Sequence, residues 1–346
     1  MKVFIVQGEK RADYFDLPVP EIKDDEVLCK VAYNGICGTD LSIYTGESSF
    51  VKNGQITYPV RIGHEWSGTV AKIGSSVGKF VVGDRVVGDN AVGCGKCEHC
   101  LNGDFRKCRD LRSVGTINAW DGAFAEYIVM PERSLYKLPD DISLKSGCLI
   151  EPMTVAYSGI ADCDINGKTQ VAVIGCGSIG LASIPVVKAM GCDNVTFIGR
   201  NDDKLAVAKK LGAKEIINIR KDDYAAAVGR ITGGRGFDVV IEASGAVEAV
   251  ETCVAGAADR GTIVLLGFFE KPIETFEINS FVTKALTVKG ISGGGMLPEI
   301  IEFMEKYHIN IESVITEEIG FDEVKDYFEN FKERKKNNIK VLVKIG

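Results

Sequence analysis

Cys94, Cys97, Cys100 and Cys108 stand in one short loop, GCGKCEHCLNGDFRKC, and thiolates at that spacing converge on a tetrahedral ion. Four sulfurs close the shell of a zinc ion and leave no position for substrate, so the loop predicts a structural zinc site. A disulfide cluster is the competing reading, but two residues between each of the first three cysteines suit a chelate better. A second set has the opposite character. Cys37 in GICGTD, His64 and Glu65 in GHEWSG, and Glu151 in LIEPMT offer one thiolate, one imidazole and one or two carboxylates. Such a set holds zinc with a position left open, the arrangement of a catalytic metal. His64 has a neighbouring acid and flanking glycines, which favour a ligand over a satisfied core histidine. His99, inside the cysteine loop, and His308, beside a helix end, read as surface residues.

A third constellation is Gly175-Cys176-Gly177-Ser178-Ile179-Gly180, a GxGxxG placed directly after the apolar run VAVIG. A strand before it and a helix after it give the pattern its meaning: a pyrophosphate resting on a helix N-terminus. Gly175 permits the tight turn, Gly177 lets backbone approach phosphate, and Gly180 lets the helix pack on the sheet. At the tip of the next strand an NAD-binding chain carries an acid for the ribose hydroxyls, whereas this chain has Gly199 and Arg200. Arg200 can fork onto a 2′-phosphate that an acid would repel, so NADP(H) is expected over NAD(H). Gly199, Arg200, Asn201 and Lys204 are the expected contacts at that tip, and Asp at 199 with Ile at 200 is expected to reverse the preference. The rival reading gives the acid's task to Asp202 or Asp203, but Asn201-Asp202-Asp203 reads better as an N-cap and acidic first turn.

The elements that must position these groups fall into two textures. Residues 27–92 are short β-rich runs (VLCKVAY, SGTVAKIG, GDRVVGD) cut by Gly, Asp and Pro, a β-barrel-like domain whose turns carry the polar chemistry. From about residue 170, apolar strands alternate with helical patterns at 178–190, 203–211, 224–230 and 247–257, six strands in all. That alternation specifies a doubly wound parallel sheet, an α/β fold. Helices at 298–307 and 321–331 and a last strand KVLVKI follow. The expected domains are a β-rich catalytic domain at 1–152 with both zinc sites, a Rossmann cofactor domain at 153–291, and a segment at 292–346 returning to the first domain.

Composition narrows the function classes. A chain of 346 residues suits about two domains, and 45% apolar with 26% charged residues is ordinary for a globular protein. A formal charge of -7 argues against nucleic-acid binding, and the one basic run, 332–336, reads as a solvated helix face. The stretch 171–187 is uncharged and 17 residues long, at the lower edge of a membrane span, but its three glycines and Pro185 mark a strand, turn and helix instead. The N-terminus has too short an apolar stretch for a signal-peptide core, and eleven cysteines fit a reducing cytoplasm. Tyr44, Phe50 and Trp66 are candidates for lining a substrate pocket, but aromatics in a β-rich domain are more often core.

Cys37 with Gly38-Thr39-Asp40, Gly63-His64-Glu65 with Gly68 and Gly74, the four-cysteine loop, Glu151-Pro152 and the glycine turn follow one another in an order that is highly specific. Over essentially its whole length the chain resembles the zinc-dependent medium-chain dehydrogenases of the alcohol and polyol dehydrogenase family, in their sorbitol dehydrogenase-like branch. The resemblance implies a GroES-like β-rich catalytic domain with a Rossmann domain, and assembly as a dimer or tetramer. It also implies hydride transfer between NADP(H) and a secondary hydroxyl of a polyol, sugar or cyclitol. A threonine-type or simple secondary alcohol is the alternative substrate. It implies a catalytic zinc at Cys37, His64 and a third ligand, with Glu65 and Glu151 both open for that place. Thr39 corresponds to a hydroxyl that relays the proton, and Asp40 to the acceptor that orients His64. The chain departs from the sorbitol-type pattern at Ser42 and Ile43 and in KGISGGGM, and it lacks the aromatic-His pair of threonine dehydrogenases. A zinc- and NADPH-binding sensor without turnover is the reading from another class, and the presence of Cys37, His64 and Glu151 weighs against it. Both metal sets weigh against a zinc-free quinone reductase.

Overall fold

Apolar and half-buried residues along Glu26–Ile36 make that strand the centre of the first sheet. The computed structural model of the protein describes residues 1–293, 296–334 and 338–346. Its first compact unit comprises residues 1–151, 297–306 and 315–346, and its second residues 152–296 and 307–314. In the first unit seven strands form one sheet, in the order Ile315–Gly320, Lys340–Lys344, Glu26–Ile36, Glu65–Ile73, Arg85–Gly88, Leu135–Lys137, with Tyr127–Pro131 also paired to Glu26–Ile36. The last strand runs antiparallel to the central one, with Val341 opposite Ile36. On the other side Glu65 stands opposite Gly35. A side chain at 35 would collide with the Glu65 carboxylate, so a glycine there makes room for a charged group inside the sheet.

The C-terminal segment is anchored by aromatic packing. Its helix, Val324–Arg334, sends the buried Phe328 into the ring cluster of Phe4, Tyr44 and Phe124, with centroids 5.4 to 6.0 Å apart. Ring pairs at these separations add about 0.5–1.5 kcal/mol each beyond the apolar area they bury. The helix expected at 321–331 opens instead as a 3-10 turn, Phe321–Glu323, because the Glu323 carboxylate accepts the Gly320 N–H at 2.6 Å and fixes a tight entry. Two residues of the basic run, Lys335 and Lys336, lie outside the described residues. Tyr44 and Trp66 are core residues, and Phe50 packs against the core.

The second unit carries a six-stranded, wholly parallel sheet. Its order is Glu215–Asn218, Val195–Gly199, Val171–Ile174, Phe237–Glu242, Ala257–Leu265, Thr287–Gly290. In chain order this is 3-2-1-4-5-6, whose switch point falls where the first strand ends, at the glycine turn. The uncharged run 171–187 is thus a buried strand, a turn and the helix Ser178–Ala189. No helix of the described residues is long and apolar enough to cross a membrane.

Candidate active site

Cys37 caps the helix Gly38–Thr45, and Asp40 in its first turn reaches back so that its Oδ2 accepts the Cys37 N–H at 2.9 Å. The other Asp40 oxygen accepts the Gly63 N–H at 3.2 Å and lies 3.5 Å from His64 Nδ1. One buried carboxylate therefore ties the Cys37 turn to the GHE segment. Cys37, His64 and Glu65 each present a ligand atom, all within 4.8 Å of one another. Thiolate, imidazole and carboxylate in that compass fit a zinc ion. The electrostatics agree: burial alone disfavours a charged imidazole, yet Asp40 and the Cys37 sulfur outweigh it and hold the His64 pKa well above the ordinary value. These surroundings favour a cation at the site, a proton on the imidazole when it is metal-free or a metal ion on the neutral ring. Thr39 Oγ1 is 3.7 Å from the Cys37 sulfur.

The two acids occupy different surroundings. Glu65, almost wholly buried, receives both its oxygens' hydrogen bonds from Lys340 Nζ, one of them at 2.7 Å, and the same ammonium donates to Ile36 O at 3.2 Å. Burial pushes the Lys340 pKa down, but Glu65 outweighs it and raises it above the ordinary 10.5. Because the folded value is the higher one, the stabilisation linked to the Lys340 proton is complete at neutral pH and is lost as pH rises through that value. Glu151 lies outside the three-residue cluster, and its Oε1 accepts the Asn90 amide at 2.6 Å. Burial, opposed by His64 and reinforced by Glu65, lifts the Glu151 pKa to about 7.

In the cysteine loop the ligand atoms of Cys94, Cys97, Cys100 and Cys108 likewise lie within 4.8 Å of one another. Cys97 caps the short helix Glu98–Leu101, and the 3-10 turn Phe105–Lys107 delivers Cys108. The backbone N–H groups of Lys96 and Cys97 lower the Cys94 pKa to about 6, the state a metal ligand needs. All eleven cysteines are free of disulfides, and His99 and His308 are exposed.

In the cofactor unit, Gly175 has φ +123 and its N–H donates to Ile198 O at 3.1 Å, pinning the turn to the neighbouring strand. A side chain at Gly180 would collide with the Gly175 carbonyl, so the helix can start this close to the sheet only with glycine there. Gly177 is the N-cap, followed by Ser178 and Ile179 in the first turn. At the next tip Asn201 caps the helix Asp202–Lys210, its Oδ1 accepting the Lys204 N–H at 3.1 Å. Asp202 accepts from Asn218 Nδ2 at 2.6 Å and pairs with Lys221 at 2.5 Å.

Residues 23–140 match the alcohol dehydrogenase GroES-like domain, and residues 178–306 match the zinc-binding dehydrogenase domain. The chain is 32% identical to a sorbitol dehydrogenase of Bacillus subtilis (strain 168), with 99% of this chain and 97% of that protein covered. The chain belongs to the zinc-dependent medium-chain alcohol and polyol dehydrogenase family. An L-threonine 3-dehydrogenase of Bacillus velezensis is 34% identical over 91% of this chain and 90% of its own length. A putative zinc-binding dehydrogenase from Sinorhizobium meliloti 1021, solved bound to NADP, superposes with a TM-score of 0.88 at 29% identity, covering 99% of this chain and 98% of that one. This dehydrogenase thus has the zinc- and nicotinamide-dependent chemistry of an oxidoreductase family.

Two site residues escape sequence reasoning. Lys340 is 275 positions from Glu65, and only the pairing of the last strand with the central one brings them together. Asn90 carries no motif, although it lies four residues before the first cysteine of the loop. In the protein stripped of zinc, removing the charge in Lys340→Met leaves the buried Glu65 carboxylate uncompensated, a loss of about 3–5 kcal/mol that denaturant unfolding should register. The neutral pair Glu65→Gln with Lys340→Met should recover most of that loss. Equal stability of wild type and Lys340→Met would contradict the assignment.

Proposed function

We propose that this dehydrogenase moves a hydride between a secondary hydroxyl of a polyol, sugar or cyclitol and NADP(H), with Cys37 and His64 holding a catalytic zinc and Glu65 as its third donor. The observation that carries this reading is the mixed sulfur, nitrogen and oxygen cluster of Cys37, His64 and Glu65, beside a second, four-sulfur cluster suited to a structural zinc. When bound, zinc supplies Lewis acidity that makes a hydroxyl far more acidic, and the nicotinamide takes the hydride. The chain's own residues do the rest. Asp40 fixes the His64 ring through its charge and through the Cys37 and Gly63 N–H groups it holds. Thr39 carries the hydroxyl proton away from substrate towards solvent. Glu151 and Asn90 give the site a polar wall, and Asn90 Oδ1 is buried with no protein donor, which favours a substrate bringing further hydroxyls. A threonine-type activity stays as the alternative, because a threonine dehydrogenase is among the similar proteins.

The preference for NADP(H) rests on Gly199 and Arg200 at the tip, and on the engagement of Asp202 with Asn218 and Lys221, which turns that acid away from a ribose-reading role. Gly175, Gly177, Ser178, Ile179 and Gly180 would cradle the pyrophosphate, with Asn201 and Lys204 beside Arg200. A homo-oligomer, dimer or tetramer, is part of the reading: strand Thr287–Gly290 is a sheet edge, and Ile278, Val282 and Val288 expose apolar surface near it in sequence. The eleven free thiols suit a reducing cytoplasm.

Initial rates over polyols, cyclitols, sugar phosphates, threonine and simple secondary alcohols test the reading, with kcat/KM for NADP and NAD compared at fixed salt. A polyol or sugar should be used best, and NADP should lead by roughly 10-fold to 150-fold, the worth of a charge-assisted contact, with most of that margin lost in Arg200→Ala. A wild-type ratio favouring NAD, or threonine as the best substrate, would contradict the respective part. Thr39→Val should keep its zinc and lose about 100-fold or more in turnover, and wild-type turnover across pH would refute the relay.

A further inference from the structure

The glycine turn and the tip of the adjacent strand are in direct contact. Strands Val171–Ile174 and Val195–Gly199 run in register to Ile174 opposite Ile198, and the Gly175 N–H holds the turn there at 3.1 Å from Ile198 O. This places the Cys176 sulfur over Gly199. A Cβ at 199 would fall far inside van der Waals contact of that sulfur, while the next neighbour, Leu205 Cδ2, at a tight 3.2 Å, would have to give by only a few tenths of an ångström. The backbone N–H groups of Arg200 and Asn201 also approach the sulfur, and burial raises the thiol's pKa, so the plug is small and uncharged.

We infer that Cys176 is a specificity-determining residue for the cofactor: its sulfur fills the volume that an acidic side chain at 199 would need. Residues 176 and 199 form one unit, in which the thiol keeps the tip free of a carboxylate and leaves Arg200 to meet the 2′-phosphate. The inference rests on the reading of this turn as a site for NADP(H). It also corrects the expectation that Asp at 199 with Ile at 200 reverses the preference, because that exchange alone drives a side chain into the sulfur. With the sulfur removed, as in Cys176→Ala, only the branched end of Leu205 remains close, and it can yield.

Dissociation constants for NADP and NAD by calorimetry, with unfolding temperatures, decide the matter on the zinc-loaded protein without substrate. The set is wild type, Cys176→Ala, Gly199→Asp/Arg200→Ile, and the triple combination. Cys176→Ala alone supplies the single-variant corner of the cycle, against which the effect of the same exchange in the Gly199→Asp/Arg200→Ile background is read. Gly199→Asp/Arg200→Ile should bind both cofactors about tenfold or more weakly than wild type binds NADP, and unfold at a lower temperature. Adding Cys176→Ala should restore the unfolding temperature and tighten NAD about tenfold, making NAD the preferred cofactor. In the Gly199→Asp/Arg200→Ile background, equal NAD affinity and equal unfolding temperature with and without Cys176→Ala would overturn the inference. Should the Asp proteins fail to fold, Gly199→Ala against Cys176→Ala/Gly199→Ala poses the same question with one methyl group. A destabilised single variant rescued by the second supports the coupling, and additive behaviour refutes it. The wild-type ratio separately reports on the cofactor reading: tighter NAD binding would sink the NADP preference yet leave the coupling to be judged by non-additivity.

Discussion

Glu65 and Lys340 are opposite charges buried side by side, at 2% and 3% side-chain exposure, and the arrangement of the first unit depends on them. Taking either charge out of water alone would cost several kcal/mol, so each is tolerable only because the other is within hydrogen-bonding distance. The pairing constrains backbone as well as charge. Glu65 must lie on the strand beside Gly35, which leaves space for its carboxylate, and Lys340 must open a strand on the far side of the same central strand. The C-terminal segment therefore has to return to the first sheet, and Phe328 in the aromatic cluster makes that return favourable. An acid is in this way held beside Cys37 and His64 without an unpaired charge in the core.

The same economy of space recurs around the second cluster of function, where glycine sets how closely backbone and side chains approach. Gly180 lets the helix start against the Gly175 carbonyl, and Gly199 accepts the Cys176 sulfur. Asp40 serves two segments with one carboxylate, so the Cys37 turn and the GHE segment cannot shift independently. These are short-range constraints, and they let loop residues hold positions that a ligand shell requires.

Local spacing made much of this legible in the sequence. Four cysteines within one loop, a GxGxxG between an apolar strand and a helix, and six strand patterns each carry their physics within a few residues, and a doubly wound parallel sheet follows from them, whereas its 3-2-1-4-5-6 order is visible only in the structure. The N-terminal hairpin, Lys2–Gly8 with Arg11–Asp16, carries no such signal, since its strands alternate buried and exposed residues only weakly. What sequence reasoning could not reach were meetings between distant residues. Lys340 finds Glu65 through strand pairing, Asn90 finds Glu151 through a loop, and Cys176 meets Gly199 across two strands. The motif pattern left the rank of Glu65 and Glu151 open, and the two acids stand in different surroundings, one within the cluster and bonded to Lys340, the other outside it and bonded to Asn90.

Two metal centres of unlike chemistry, one closed and one open, are proposed for this chain. Metal analysis together with X-ray absorption at the zinc edge, before and after treatment with a mild chelator, distinguishes them. Two ions per chain with sulfur and nitrogen or oxygen scatterers together are expected, and, after chelation, one retained ion with a sulfur-only shell at about 2.3 Å in a still folded protein. A single ion per chain in the untreated protein, or a retained ion that keeps nitrogen or oxygen neighbours, would contradict the proposal.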